Sequence, residues 1–199
     1  MVSHAERREL RFADAAAWES WLDANAATSD GVRLVLRRVT TVAEGLLYPE
    51  ALDVALCFGW IDGTARRLDD DFFFRDFGPR RARSIWSQVN IEHTDRLIAA
   101  GRMRTRGIEE IERAKSDGRW DAAYRQKGAE VPDDLAAALA ASPAASAMFD
   151  RLTGQNRFAV LFRIGTVKRA GTRAAKIAGI VAALERGDTI HPQSGSARK

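Results

Sequence analysis

Two β-forming runs on either side of an acidic turn constrain this chain more than any other feature. Trp60 to Arg67 and Phe72 to Phe77 flank Leu68-Asp69-Asp70-Asp71, and Gly78-Pro79 closes the second run. Such runs, punctuated by turn-forming residues, specify a hairpin. Side chains alternate across a strand, so Phe72, Phe74 and Asp76 face one way and Phe73, Arg75 and Phe77 the other.

The segments before the hairpin mix both periods. Arg8 to Phe12 reads as a short strand. Asp14 is placed to cap a helix through Asn25 that carries Trp18, Trp21 and Leu22 on one face. Val32 to Val39 is a β-rich run. Pro49 suits the first turn of a helix that Gly59 stops after Phe58. From Ser87 onward the pattern is helical. Ser87 can cap a helix to Ala100, with Val89, Leu97 and Ile98 available to the core and Gly101 as its stop. Thr105 can cap the next, with Ile108 and Ile111 inward. Arg113 to Lys127 is polar, with Trp120 and Tyr124 as isolated anchors. Pro132 and Pro143 each open a short Ala-rich helix, Phe158 to Val167 forms another, and a last helix runs from about Thr172 to Gly187 with Ile177, Ile180, Val181 and Leu184 on one face.

The expected fold is therefore α+β: a small, mostly antiparallel sheet with packed helices in the N-terminal half and a helical C-terminal half. The expected organisation is a flexible N-terminus over 1–7, an α+β core over 8–104, a helical part over 105–186 packed on it, and a disordered tail over 187–199.

Composition narrows the function classes. The single cysteine, Cys57, excludes an internal disulfide, and its apolar surroundings make it a small core hydrophobe. One Cys and three scattered His (His4, His93, His191) show no metal-ligand spacing. No phosphate loop, dinucleotide fingerprint or Ser-His-Asp order occurs, so no cofactor is expected. No apolar window approaches ~18 residues, and Met1 to Arg11 has no export-signal core, so a cytoplasmic protein is expected. The net charge of +4 is Arg-driven. Arg suits bidentate binding of carboxylate or phosphate and stacking on aromatics.

Chemistry-bearing residues concentrate between Phe58 and Asn90. Gly59-Trp60-Ile61-Asp62-Gly63 sets Asp62 at a helix-to-strand turn, as a base, an Arg partner or a turn-fixing group. Arg80, Arg81 and Arg83 with Trp86 form either an anion clamp stacked on an indole or a network neutralising Asp69, Asp70, Asp71 and Asp76. Ser84, Ser87 and Asn90 add hydrogen-bonding groups, Ser87 being placed as a helix cap. His93, three residues after Asn90, can serve as acid or base at neutral pH or as a surface histidine.

Along this region the chain resembles a known family. Tyr48-Pro49-Glu50-Ala51, Leu56-Cys57-Phe58-Gly59-Trp60-Ile61-Asp62-Gly63, Pro79-Arg80-Arg81, Arg83-Ser84, Trp86-Ser87, Asn90 and Leu97-Ile98-Ala99-Ala100-Gly101-Arg102-Met103 are similar to the YdeI/OmpD-associated, or bacteriocin-protection (OmdA-like), proteins. The resemblance extends over about 8–186 and is strongest over 48–107. Lys168-Arg169 and Thr172-Arg173 resemble the family's C-terminal signature, with Val167 and Gly171 in place of its usual Ala and Glu. Ala82 stands where Pro is common. The resemblance implies a role in stress or antimicrobial-peptide tolerance and no particular reaction.

The leading expectation is a binding module for a small anionic or aromatic molecule in an Arg/Trp cleft. Trp60 and Trp86 form its walls, Arg80 and Arg83 neutralise the anion, Asp62 and Asn90 orient it, and Ser84 adds a hydrogen bond. One alternative is an enzyme on such a substrate with Asp62 or His93 as acid/base. A second is nucleic-acid binding through Arg163, Lys168, Arg169, Arg173, Lys176 and Arg186, against which Phe158 and Phe162 are expected to face the core. A protein partner is a further option, and the oligomeric state is open.

Overall fold

The computed structural model describes residues 7–124, 130–167 and 169–193. Residues 1–6 of the expected flexible N-terminus, 194–199 of the expected tail, part of the polar stretch before Val131, and Lys168 lie outside the described residues. The chain divides into two compact units, one ending at Ala123 and the other beginning at Tyr124.

The first unit holds a four-stranded sheet. Its strands are β1 (Glu9–Arg11), β2 (Val32–Arg37), β3 (Trp60–Arg67) and β4 (Phe72–Pro79), in the order β1-β2-β4-β3. β1 runs parallel to β2, and the other pairings are antiparallel, so the α+β sheet is mixed. The hairpin forms as its sequence requires. Asp69 Oδ1 accepts from the backbone N–H groups of Asp71 (2.9 Å) and Phe72 (2.7 Å), which closes the turn. β4 continues through Gly78 to Pro79 instead of ending before them, because β3 offers Trp60 and Ile61 as partners there.

One sheet face is covered by α1 (Ala15–Asn25) and α2 (Tyr48–Cys57). Asp14 caps α1 by accepting from Ala17 N–H at 2.8 Å. That helix buries Trp18 and Leu22 against α2, and the Trp18 indole N–H donates to Ala51 O across the helix pair. Trp60 and Phe77 meet Trp18 edge-on from the sheet at 6.2 and 6.0 Å between ring centroids. The opposite face carries Arg11 over Phe72 (4.1 Å) and the buried Arg33–Asp76 ion pair (3.0 Å).

α3 (Gln88–Ala99) and α4 (Thr105–Ser116) complete this unit, with α2 packed against both. Leu97 and Ile111 are buried as the periodicity requires. Val89, Ile98 and Ile108 are not: each is more than a third exposed, because the faces that α3 and α4 bury are narrower than their apolar stripes. Trp86, Ile91, Ile111 and Ala114 make a small second core, with Trp120 laid against it.

The second unit contains α5 (Asp133–Ala140), α6 (Pro143–Asp150), α7 (Gly154–Gly165) and α8 (Ala170–Glu185). Its core is made by Leu135, Leu139, Phe149, Val160, Ile164, Ile177 and Leu184. Ser142 caps α6 and also donates to Glu185 at 2.7 Å. Residues 187–193 are held in place: the buried Asn156 donates to His191 O (3.0 Å) and accepts from His191 N–H (2.8 Å). No helix among the described residues is long and apolar enough to cross a membrane.

Candidate functional site

The Arg/Trp segment is braced from inside. The Arg80 guanidinium lies 3.6 Å from the centroid of the Trp86 ring, and both side chains are buried. Arg80 Nη1 donates to Ile85 O (3.3 Å), and Arg80 N–H to Gly59 O (3.0 Å). The intervening loop is closed on itself: Ser84 N–H donates to Arg81 O (2.8 Å), and Ser84 Oγ accepts from Arg81 N–H (3.0 Å). Arg119 holds Ser84 O at 2.8 Å. Ser87 caps α3 by accepting from Asn90 N–H. Arg81 and Arg83 point outward, with no acidic partner among the described residues.

Trp60 and Trp86 do not face each other. Trp60 is fully buried in the main core, where Trp18 and Trp21 meet it edge-on, whereas Trp86 packs on Trp120 at 4.9 Å in the smaller one. The acidic residues of the hairpin find other partners than Arg81 and Arg83. Asp76 pairs with Arg33, Asp70 with Arg67, Asp71 accepts from Thr41, and Asp69 serves its own turn.

Asp62 belongs to a different cluster. Opposite Phe77 in the register, it lies on the helix-covered face, where Tyr48 of α2 donates to its Oδ2 at 3.0 Å. Arg75 reaches the same oxygen at 3.1 Å while lying 4.6 Å from the Tyr48 ring centroid. A register shift between Asp62 and Ala65 bends β3 here and frees Gly63 O to accept from Arg75 Nη1. Burial and then the Asp62 carboxylate push the Tyr48 phenol up to about 12.

His93 is not a solitary surface residue. Its Nδ1–H tautomer donates to Asp53 Oδ1 at 2.9 Å, and Arg96 Nη2 donates to both oxygens of that carboxylate at 2.7 and 2.9 Å. Burial raises the Asp53 carboxyl, but the hydrogen bonds from Arg96 and His93 outweigh it and hold the group below its ordinary range. Sequence reasoning passed over Asp53, Tyr48, Arg75 and Arg96. The available signal was Asp53 itself, a charge interrupting the apolar run Ala51-Leu52-Val54-Ala55. Cys57 is buried, and burial pushes its thiol up to about 11, as expected for a core residue.

The comparisons with known proteins divide along the same chain. A domain of unknown function, DUF8412, matches residues 10–110, half of the chain. The chain belongs to the DUF8412 family. The family described as bacteriocin-protection, YdeI or OmpD-associated matches residues 128–187. The suspected family is thus present, but over the C-terminal helices; the central motifs that suggested it fall within the DUF8412 match. No curated protein and no solved structure matches the chain.

Within the YdeI/OmpD-associated part, the basic residues are unequal. Arg173 is tied to Asp134 (Nη2 to Oδ1, 2.9 Å) and to Ile164 O (2.9 Å) at the end of α7, and Arg186 pairs with Asp188 at 3.0 Å. Arg163, Arg169 and Lys176 are exposed and have no ion pair among the described residues. Phe158 and Phe162 do not enter the core. They lie half-buried against Tyr124, at 5.4 and 5.1 Å, because Val160, Leu161 and Ile164 already occupy the inward face of α7.

Proposed function

We propose that this DUF8412-family protein is a cytoplasmic tolerance factor of the YdeI/OmpD-associated kind that works by binding a small anionic or aromatic molecule. The carrying observation is the loop from Arg80 to Trp86. Its interior is locked by the Arg80–Trp86 stack, while Arg81 and Arg83 stand exposed without acidic partners among the described residues. A guanidinium held on a rigid loop loses less entropy on taking a carboxylate or phosphate than one on a mobile loop. Arg83 neutralises the ligand, and the Ser84 hydroxyl next to it and the Asn90 amide in the first turn of α3 supply hydrogen-bonding groups. Arg80 and Trp86 act as the brace, and Trp60 and Asp62 support the sheet end from which the loop departs.

A thermal-shift screen of wild type beside Arg83→Ala tests this, using nucleotides, anionic metabolites and aromatic acids. A ligand that raises the melting temperature of wild type only supports it. No shift with any compound, or equal shifts in both proteins, rejects it. Survival of a deletion strain under antimicrobial-peptide stress, complemented by wild type or Arg83→Ala, tests the tolerance role. Cell fractionation tests the location.

A second reading rests on the His93–Asp53 hydrogen bond, which orients an imidazole as in acid/base catalysis. It requires that a ligand from the screen be consumed by wild type and not by His93→Gln. Asp62 is the weaker candidate, because Tyr48 and Arg75 occupy one of its oxygens.

A further inference from the structure

The second unit contains a groove of about 720 Å³ between α7, α8 and the segment that follows α8. That volume is in the range of small-molecule sites. Leu152, Val160, Ile180, Ala183, Leu184 and Ile190 give it an apolar lining. The wall carrying Ile190 is fixed by the two hydrogen bonds between Asn156 and His191. The groove is therefore a built feature of the described fold.

Its two ends differ in charge. Arg173 Nη1 donates to Ile164 O, so the start of α8 lies beside the end of α7. Arg163, near the end of α7, and Lys176, one turn into α8 from Arg173, consequently lie at this same end of the groove, exposed and without ion pairs among the described residues. At the other end the only lining cation, Arg186, is neutralised by Asp188. Two unpaired cations at one end of an apolar trough complement a molecule with an anionic head and an apolar body.

The lining also contains Gly179, in the middle of α8, where a Cβ would meet nothing within 4 Å. Glycine is the least favourable helix-interior residue after proline. Here the missing side chain leaves the trough open.

We infer that this groove binds a free single-chain anionic amphiphile, with its carboxylate or phosphate at Arg163 and Lys176 and its chain along Val160, Ile180 and Leu184. The inference concerns the YdeI/OmpD-associated unit and stands independently of the loop at Arg83.

Isothermal titration of the full chain tests it with dodecanoate, dodecyl phosphate, dodecanol and dodecyltrimethylammonium, each below its critical micelle concentration. The two anions are expected to bind at least tenfold more tightly than the alcohol or the cation. Gly179→Leu fills the trough and is expected to weaken the anions at least tenfold without lowering the melting temperature. The double variant Arg163→Gln/Lys176→Gln, altered only at exposed side chains, is expected to lose the preference for an anion over the alcohol. Absence of heat with both anions, equal affinity for all four probes, or undiminished binding by Gly179→Leu overturns the inference. Binding of a single-stranded oligonucleotide or of phosphatidylglycerol vesicles in place of the free anions also overturns it, and assigns the cations to nucleic acid or to a lipid surface.

Discussion

The Arg80 guanidinium stacks 3.6 Å from the Trp86 ring centroid, and the same indole packs on Trp120 at 4.9 Å between centroids. A cation is thereby held inside the protein by the Trp86 π-face and the Ile85 carbonyl, and the loop that follows it is closed by hydrogen bonds between Arg81 and Ser84. Trp86→Ala removes the centre of this arrangement. It should cost about 3–5 kcal/mol in chemical denaturation, as large-to-small core changes of an indole do. Arg83→Ala, at an exposed side chain of the same loop, should stay within about 0.5 kcal/mol of wild type. A large loss in Arg83→Ala would mean that the loop depends on its outer arginines too.

Asp53 joins α2 to α3 through His93 and Arg96. Its carboxyl lies below its ordinary value of 3.8 in the folded protein, so the folded state favours the ionised form. The contribution is present above about pH 3.8 and disappears as the pH falls through the lower folded value. Asp53→Asn should cost about 1 kcal/mol at pH 7, and the difference from wild type should shrink below pH 4. Urea midpoints from pH 3 to 7 measure both. A difference that is constant with pH would show that the carboxylate charge contributes nothing to the contact.

Tyr48 should titrate late. Its phenol is pushed from 10.0 to about 12, first by burial and then by Asp62. The folded state therefore favours the protonated phenol, a contribution fully present below pH 10 and lost as the pH rises through 12. Phenolate absorbance in a Tyr124→Phe background, which leaves Tyr48 as the only tyrosine, reads this directly. Asp62→Asn should move the midpoint down. An unchanged midpoint would show that burial alone sets it.

Gly107 lets α4 approach the end of α2. A Cβ there would lie 2.3 Å from Cys57 O and 2.9 Å from Cys57 C, both backbone atoms that cannot swing aside. Gly107→Ala should destabilise by about 1–3 kcal/mol, despite alanine's better helix propensity. A stabilised variant would mean that the two helices separate without cost.

Asn156 is the buried link between α7 and the segment after α8. Asn156→Ala removes the side-chain hydrogen bonds to His191 and Gln193 and takes away the acceptor of His191 N–H, for a loss of about 2 kcal/mol. Limited proteolysis should then cut near Ile190 faster than in wild type. Unchanged cleavage would show that the segment is held by its apolar contacts alone.

Much of the fold was legible because it is locally encoded. The Asp14 and Ser87 caps, the acidic turn at Asp69 and the alternation of Phe72 to Phe77 depend on residues a few positions apart, and each appears as read. Of the candidate site, the concentration of Arg and Trp was visible, but its interior arrangement was not. Periodicity shows which side of an element is apolar; it does not show how wide a stripe the neighbours cover. That is why Val89, Ile98 and Ile108 remain exposed.

The sequence by itself determined the α+β class, the hairpin and the helical second half, because these follow from backbone propensity and side-chain period. Tertiary structure decided the partners. It assigned Trp60 and Trp86 to separate cores, gave Asp62 to Tyr48 and Arg75 and His93 to Asp53, and opened a trough at Gly179. These contacts join residues 13 to 40 positions apart, and packing alone chooses among many chemically equivalent pairings.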